Sequence, residues 1–143
     1  MDYFKINTHR KSVFSILTLA LAFTFGNSQA QVPADAKPAP TNINQNGCPC
    51  IFQDNRVLFT VNAPEASKVQ LDLGKLYDMQ KDEKGIWSVI TTPQDPGFHY
   101  YSVVIDGFKF ADPASESFYG TGRMASAIDI PEQGVDFYDI KDV

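Results

Sequence analysis

The sequence predicts an all-β fold, an antiparallel sandwich of about seven strands. Three observations carry this. Apolar and polar residues alternate with period two in short runs, each run closes on Pro-, Gly- or Asp-rich turn residues, and beyond the N-terminus no stretch has the spacing of an amphipathic helix.

The first thirty of the 143 residues are set apart from that pattern. Lys5, Arg10 and Lys11 form a basic region, Ser12 to Phe25 is an apolar run too short to span a bilayer comfortably, and Ser28 and Ala30 are small residues suited to a cleavage site. Residues 1–30 are therefore expected to be a signal peptide cut after Ala30. The protein is expected to be exported, periplasmic or secreted, with no stable membrane insertion after cleavage. From Gln31 onward nine Lys and Arg stand against sixteen Asp and Glu, a formal net charge of −7. Such a chain repels phosphate backbones, and no basic stripe offsets this, so nucleic acid is excluded as a partner.

Residues 31–48 hold Pro33, Pro38, Pro40 and many Asn, Gln and Ala, with little to bury, and are expected to be a flexible linker. Cys48 and Cys50 flank Pro49. Extended residues point such side chains in unsuitable directions for a bridge, so two unpaired or intermolecularly oxidised thiols are expected. Two cysteines are also too few for a zinc site.

The sandwich is expected over residues 49–135. In "RVLFTVNAP", Val57, Phe59 and Val61 share one face, and Pro64 ends the run. "SKVQLDLG" places Val69, Leu71 and Leu73 opposite Gln70 and Asp72, and "KLYDMQ" is a weaker third strand before the charged turn Lys81 to Gly85. "IWSVITT" follows, with Trp87 and Val89 in phase. In "PGFHYYSVVIDG", Tyr101, Val103 and Ile105 make the better core face, leaving Tyr100, Ser102 and Val104 outside. Asp106-Gly107 is a hairpin signal that pairs this strand with "FKFADP". "SAIDIP" is the last strand, with Ile128 and Ile130 on one side, and residues 136–143 are read as the start of a linker.

Taken together, "VLFTVNAPEASKVQLDL", "KDEKGIWSVITTPQDPGFHYYSVVIDG" and "ADPASESFYGTGR" resemble the family 48 carbohydrate-binding modules and related early-set immunoglobulin-like domains. The stretch from Phe118 through "EQGVDFYDIKDV" looks like the version preceding the catalytic domain of secreted family 1 carbohydrate esterases of the feruloyl and acetyl-xylan type. The resemblance implies an immunoglobulin-like sandwich and a C-terminal esterase domain as partner. It also implies a role in packing against or orienting that domain. The glycogen-binding members resemble one another in two Trp and one Lys. Here the connection "LDLGKLYDM" has no Trp, and Ser102 and Lys109 occupy the other two places, which argues against starch or glycogen at that position.

No catalytic constellation is expected in this chain. "GNSQA" at 26–30 imitates a serine elbow but lies in the signal segment, and His99 has no such elbow to serve. "GTGRMA" at 120–125 lacks the strand-to-helix setting of a dinucleotide site. No cofactor and no metal are implied. The residues singled out as ligand-binding or interface positions are Tyr100, Phe108, Phe118, Tyr119 and Arg123. Phe118, Tyr119 and Arg123 sit on an expected Gly-rich loop that could dock a catalytic domain, and Tyr100 with Phe108 or Tyr119 could hold a plant-wall or α-glucan polysaccharide.

Overall fold

A computed structural model describes residues 32–43, 47–120, 122–132 and 134. The expected signal segment, and the linker expected at 136–143, lie outside them. The described residues form eleven strands in two antiparallel sheets and no helix. The first sheet has the order β1 (Ala36–Pro38), β2 (Cys50–Phe52), β3 (Val57–Asn62), β7 (Ile86–Ile90), β6 (Gln80–Lys81). The second has the order β10 (Ser117–Gly120), β11 (Arg123–Ile130), β8 (Gly97–Ile105), β4 (Val69–Leu73), β5 (Lys75–Asp78), with β9 (Phe108–Phe110) paired to the end of β8.

The alternation read in the sequence sets the core. Val57 and Phe59 of β3 and Trp87 of β7 meet Val69, Leu71 and Leu73 of β4, Tyr101 and Val103 of β8, and Ile128 and Ile130 of β11. Phe59 and Tyr101 pack edge to face with ring centroids 4.8 Å apart. Each fully buried apolar side chain here contributes about 1.5–3 kcal/mol. The Trp87 ring is buried, and its Nε1–H donates to the Ala63 carbonyl at 2.9 Å, so neither Trp87 nor Tyr101 lies bare on a groove. The Asp106-Gly107 hairpin forms as expected, with both residues at positive φ. Asp106 Oδ1 also accepts from the Ser67 and Lys68 amides, tying that turn to the start of β4.

Four expectations need correction. Part of the segment read as a flexible linker belongs to the sandwich: Ala36–Pro38 pairs with β2, and Ala39, Thr41 and Asn42 are buried. Backbone bonds from the Ile43 amide to the Ala114 carbonyl and from the Glu116 amide to the Thr41 carbonyl fix that stretch, so main-chain pairing replaces the apolar side chains it lacks.

Cys48 and Cys50 are joined as a disulfide, not left as free thiols. The chain turns at Pro49 rather than running extended, which brings the two Cα atoms to 4.5 Å, within bridging range. Asn42 Nδ2 donates to the Gly47 and Pro49 carbonyls and anchors this turn.

"KLYDMQ" is two strands in different sheets, because the chain crosses over at the buried Met79. Finally, "SESFYGTGRM" is not a loop but the β10–β11 hairpin, with Phe118 opposite Ala125 and Gly120 opposite Arg123.

Candidate functional site

The outer face of the second sheet brings aromatic, hydroxyl and charged side chains together. On β8, Phe98, Tyr100, Ser102 and Val104 point away from the core. Two outward positions of β11 are short: Ala127 lies opposite Tyr100, and Ala125 lies opposite Phe118 of β10, while Phe98 faces Asp129. Low side chains on β11 leave room for the aromatic rings to lie across it. Phe98 meets Tyr100 edge to face at 5.3 Å and Phe118 at 5.1 Å, and the alanines beneath are buried.

Gly120 completes the arrangement. A Cβ at that position would sit 2.3 Å from Tyr100 Cζ and 2.4 Å from its hydroxyl oxygen. The tyrosine ring thus extends over a strand position that only glycine leaves open. Tyr100 remains 38% exposed, so part of the ring is available to a ligand.

On the other flank, Asp72 of β4 stands opposite Ser102, and its carboxylate accepts a hydrogen bond from the Lys109 ammonium of β9. A cleft of about 220 Å³ lies between the flanks, lined by Asp72, Gly74, Tyr100, Ser102, Arg123 and Ala125. Ser102 was expected outside, and it does face out, yet it is only 3% exposed. It lies on a strand with a neighbour on each side, β4 and β11, so adjacent side chains wall it in. The same crowding buries Val104 between Gln70 and Lys109.

The five positions singled out from sequence therefore divide. Tyr100, Phe118 and Arg123 share the outer face, and the aromatic cluster joins the first two. Tyr119 projects from the opposite side of β10, paired with Met124 and 76% exposed. Phe108 lies on the β8–β9 hairpin at 72% exposure, and Phe110 beside it lines a recess between the sheets with Val61 and Ile105. Sequence reasoning missed Phe98, Gly120 and Asp72. The alternation already placed Asp72 outside, but no local signal marks Gly120 as the seat of a ring twenty residues upstream.

A second polar cluster is buried and has a packing role. Tyr101 Oη donates to Asp112 Oδ2 at 2.8 Å, the Asp112 amide donates to Ser126 Oγ, and Ser115 Oγ donates to the Ala127 carbonyl. Burial raises the Asp112 carboxyl above the ordinary aspartate range. Burial, then the adjacent Asp112 charge, raises Tyr101, so that hydroxyl stays protonated and acts as a donor. Elsewhere His99 holds its Nε2 2.7 Å from the Asp95 carbonyl oxygen, at a turn. Among the described residues no group of three or more His, Cys, Asp or Glu could hold a metal ion.

No protein-family model matches the chain. Over 109 residues, or 73% of this chain, it is 38% identical to an endo-1,4-beta-xylanase/feruloyl esterase of Xylanibacter ruminicola, of which the match spans 15%. Solved structures that it resembles include a provisionally named alpha amylase of Salmonella typhimurium, at 30% identity, 52% of this chain, 13% of that one and a TM-score of 0.45. A pullulanase of Paenibacillus barengoltzii matches at 21% identity, 55% and 14% coverage and a TM-score of 0.43. A type I pullulanase of Bacillus subtilis matches at 20% identity, 57% and 13% coverage, with a TM-score of 0.43.

Proposed function

We propose that this chain is a non-catalytic accessory β-sandwich module of an exported carbohydrate esterase, whose role is to pack against or orient a following α/β-hydrolase domain. One observation carries the reading: the match to a xylanase/feruloyl esterase takes in most of this chain but only 15% of that enzyme, a module-sized share. The disulfide is in keeping with export, since such bridges persist in oxidising compartments. The cross-strand pair of Tyr119 and Met124, both exposed, supplies the aromatic and Met side chains that interface cores favour, and is the face assigned to the hydrolase partner.

The test is to mix the purified chain with a feruloyl esterase catalytic domain of the relative's type and follow association by analytical ultracentrifugation. Association weakened by Tyr119→Ala is expected, with no release of ferulate or acetate by the chain alone. Hydrolysis by the chain itself, or no association together with no change in the esterase's thermal midpoint, would discard the proposal.

A second reading is favoured by the Tyr100 ring, seated over Gly120 and partly exposed beside a polar cleft. That arrangement suits a carbohydrate-binding face for a plant-wall polysaccharide, because a flat aromatic side chain with flanking hydrogen-bonding groups complements a sugar ring. Retention on xylan, reduced by Tyr100→Ala, is the expected result, and equal retention of both proteins would remove this reading.

A further inference from the structure

We propose that the cleft between Tyr100, Ser102 and Arg123 is a subsite for one acidic sugar residue, a hexuronate, whose carboxylate is read by Arg123; this rests on the saccharide-binding reading. The charges around the cleft are not balanced. Asp72, the one carboxylate in its lining, is already engaged by Lys109. Arg123 is exposed and has no ion-pair partner among the described residues. The cleft thus presents one uncompensated guanidinium on a protein whose formal net charge is −5. A guanidinium offers a planar fork of donors matched to a carboxylate, and such bidentate pairs are among the stronger hydrogen bonds.

The remaining lining suits the body of a sugar. Ser102 is 3% exposed, and its hydroxyl has no hydrogen-bond partner among the described residues, which leaves it available to a ligand hydroxyl in the cleft it lines. Tyr100 supplies an apolar face for ring carbons. The volume of about 220 Å³ is below the range for drug-sized ligands, roughly 300–1,000 Å³, so one ring fits and a longer chain must run outside it. A neutral sugar would use Tyr100 and Ser102 but leave Arg123 idle, whereas a uronate uses all three.

Isothermal titration of the full chain with xylotriose, with glucuronosyl-xylotriose and with inorganic phosphate tests this. The glucuronosyl compound is expected to bind about tenfold more tightly than the neutral one, a difference of about 1.4 kcal/mol. That margin should shrink as salt is raised and vanish in Arg123→Gln, while the circular-dichroism melting curve of the variant stays that of the parent. Tyr100→Ala should weaken both sugars. Equal affinity for the two oligosaccharides would overturn the uronate assignment and leave the saccharide reading standing, and binding of neither would remove both. A uronate preference surviving Arg123→Gln, or phosphate binding as tightly as the glucuronosyl compound, would also overturn it.

Discussion

Tyr101 and Asp112 form a buried donor–acceptor pair, 2.8 Å from hydroxyl to carboxylate, which joins the central strand β8 to the turn that follows β9. The pair answers a problem set by the core. Tyr101 fills the space between the sheets against Phe59, and its hydroxyl must then find an acceptor where water is excluded. Asp112 supplies it, and is held in turn by the Ala114 amide on Oδ1 and by its own amide's bond to Ser126.

Removing that hydroxyl has a calculable sign. Tyr101→Phe keeps the ring but leaves a buried carboxylate oxygen without its donor, at an expected cost of about 1–3 kcal/mol. The urea midpoint should fall with an unchanged slope. A variant as stable as the parent would mean that the bond is exchanged for solvent at no cost.

The Asp112 carboxyl gives an acid dependence. Burial raises its folded-state value above 3.8, and the bonds from Ala114 and Tyr101 lower it less strongly. The folded protein therefore binds this proton more tightly than the unfolded chain does. The stability linked to Asp112 is fully present below 3.8 and is lost as pH rises through the higher folded value. Relative to Asp112→Asn, which cannot titrate, the parent should gain stability as pH falls from neutral toward about 4. Chemical denaturation of both proteins across that range reads the difference; a constant gap, or one that moves the other way, refutes the assignment.

How much of this was legible in the sequence follows from what kind of contact each feature needs. The core faces of β3, β4, β7 and β8 could be read because period-two alternation is local, and Asp106-Gly107 could be read because its turn chemistry is local too. The strand at Ala36–Pro38 could not, because it is held by main-chain bonds to distant residues and by almost no apolar side chain of its own. The disulfide was missed because an extended backbone was assumed where the chain turns. In the candidate site, the outward direction of Tyr100 was legible. The glycine beneath its ring was not, since β9 and its turns separate the two in sequence and only the sheet register, through β11, brings them together.

The Cys48–Cys50 bridge should contribute little to stability, because it closes a loop of only three residues. Chain-entropy arguments give roughly 1–2 kcal/mol for so short a loop. Asn42, bonded to the Gly47 and Pro49 carbonyls, holds the same turn without the bridge. The double variant Cys48→Ser with Cys50→Ser is thus expected to fold with a small loss in denaturant midpoint, while the oxidised parent shows no reactive thiol. Two titratable thiols in native protein prepared under oxidising conditions would contradict the bridge, and failure of the double variant to fold would contradict its minor role.

Gly120 and Tyr100 should be energetically coupled, and the coupling can be isolated. Gly120→Ala places a methyl group where the end of the Tyr100 ring lies, so the ring must swing off the strand and expose the alanines it helps to cover. Because the clash is with the tip of a side chain that can rotate, the cost is expected to be modest, about 1 kcal/mol, with part of it offset by the better strand propensity of Ala. In a Tyr100→Ala background the same Gly120→Ala change meets no ring and should be neutral or slightly stabilising. The double-mutant cycle is therefore expected to give a coupling of about 0.5–3 kcal/mol, the range for residues in direct contact. Additive effects within about 0.3 kcal/mol would show that the ring does not rest there, and the aromatic platform of the candidate site would go with it.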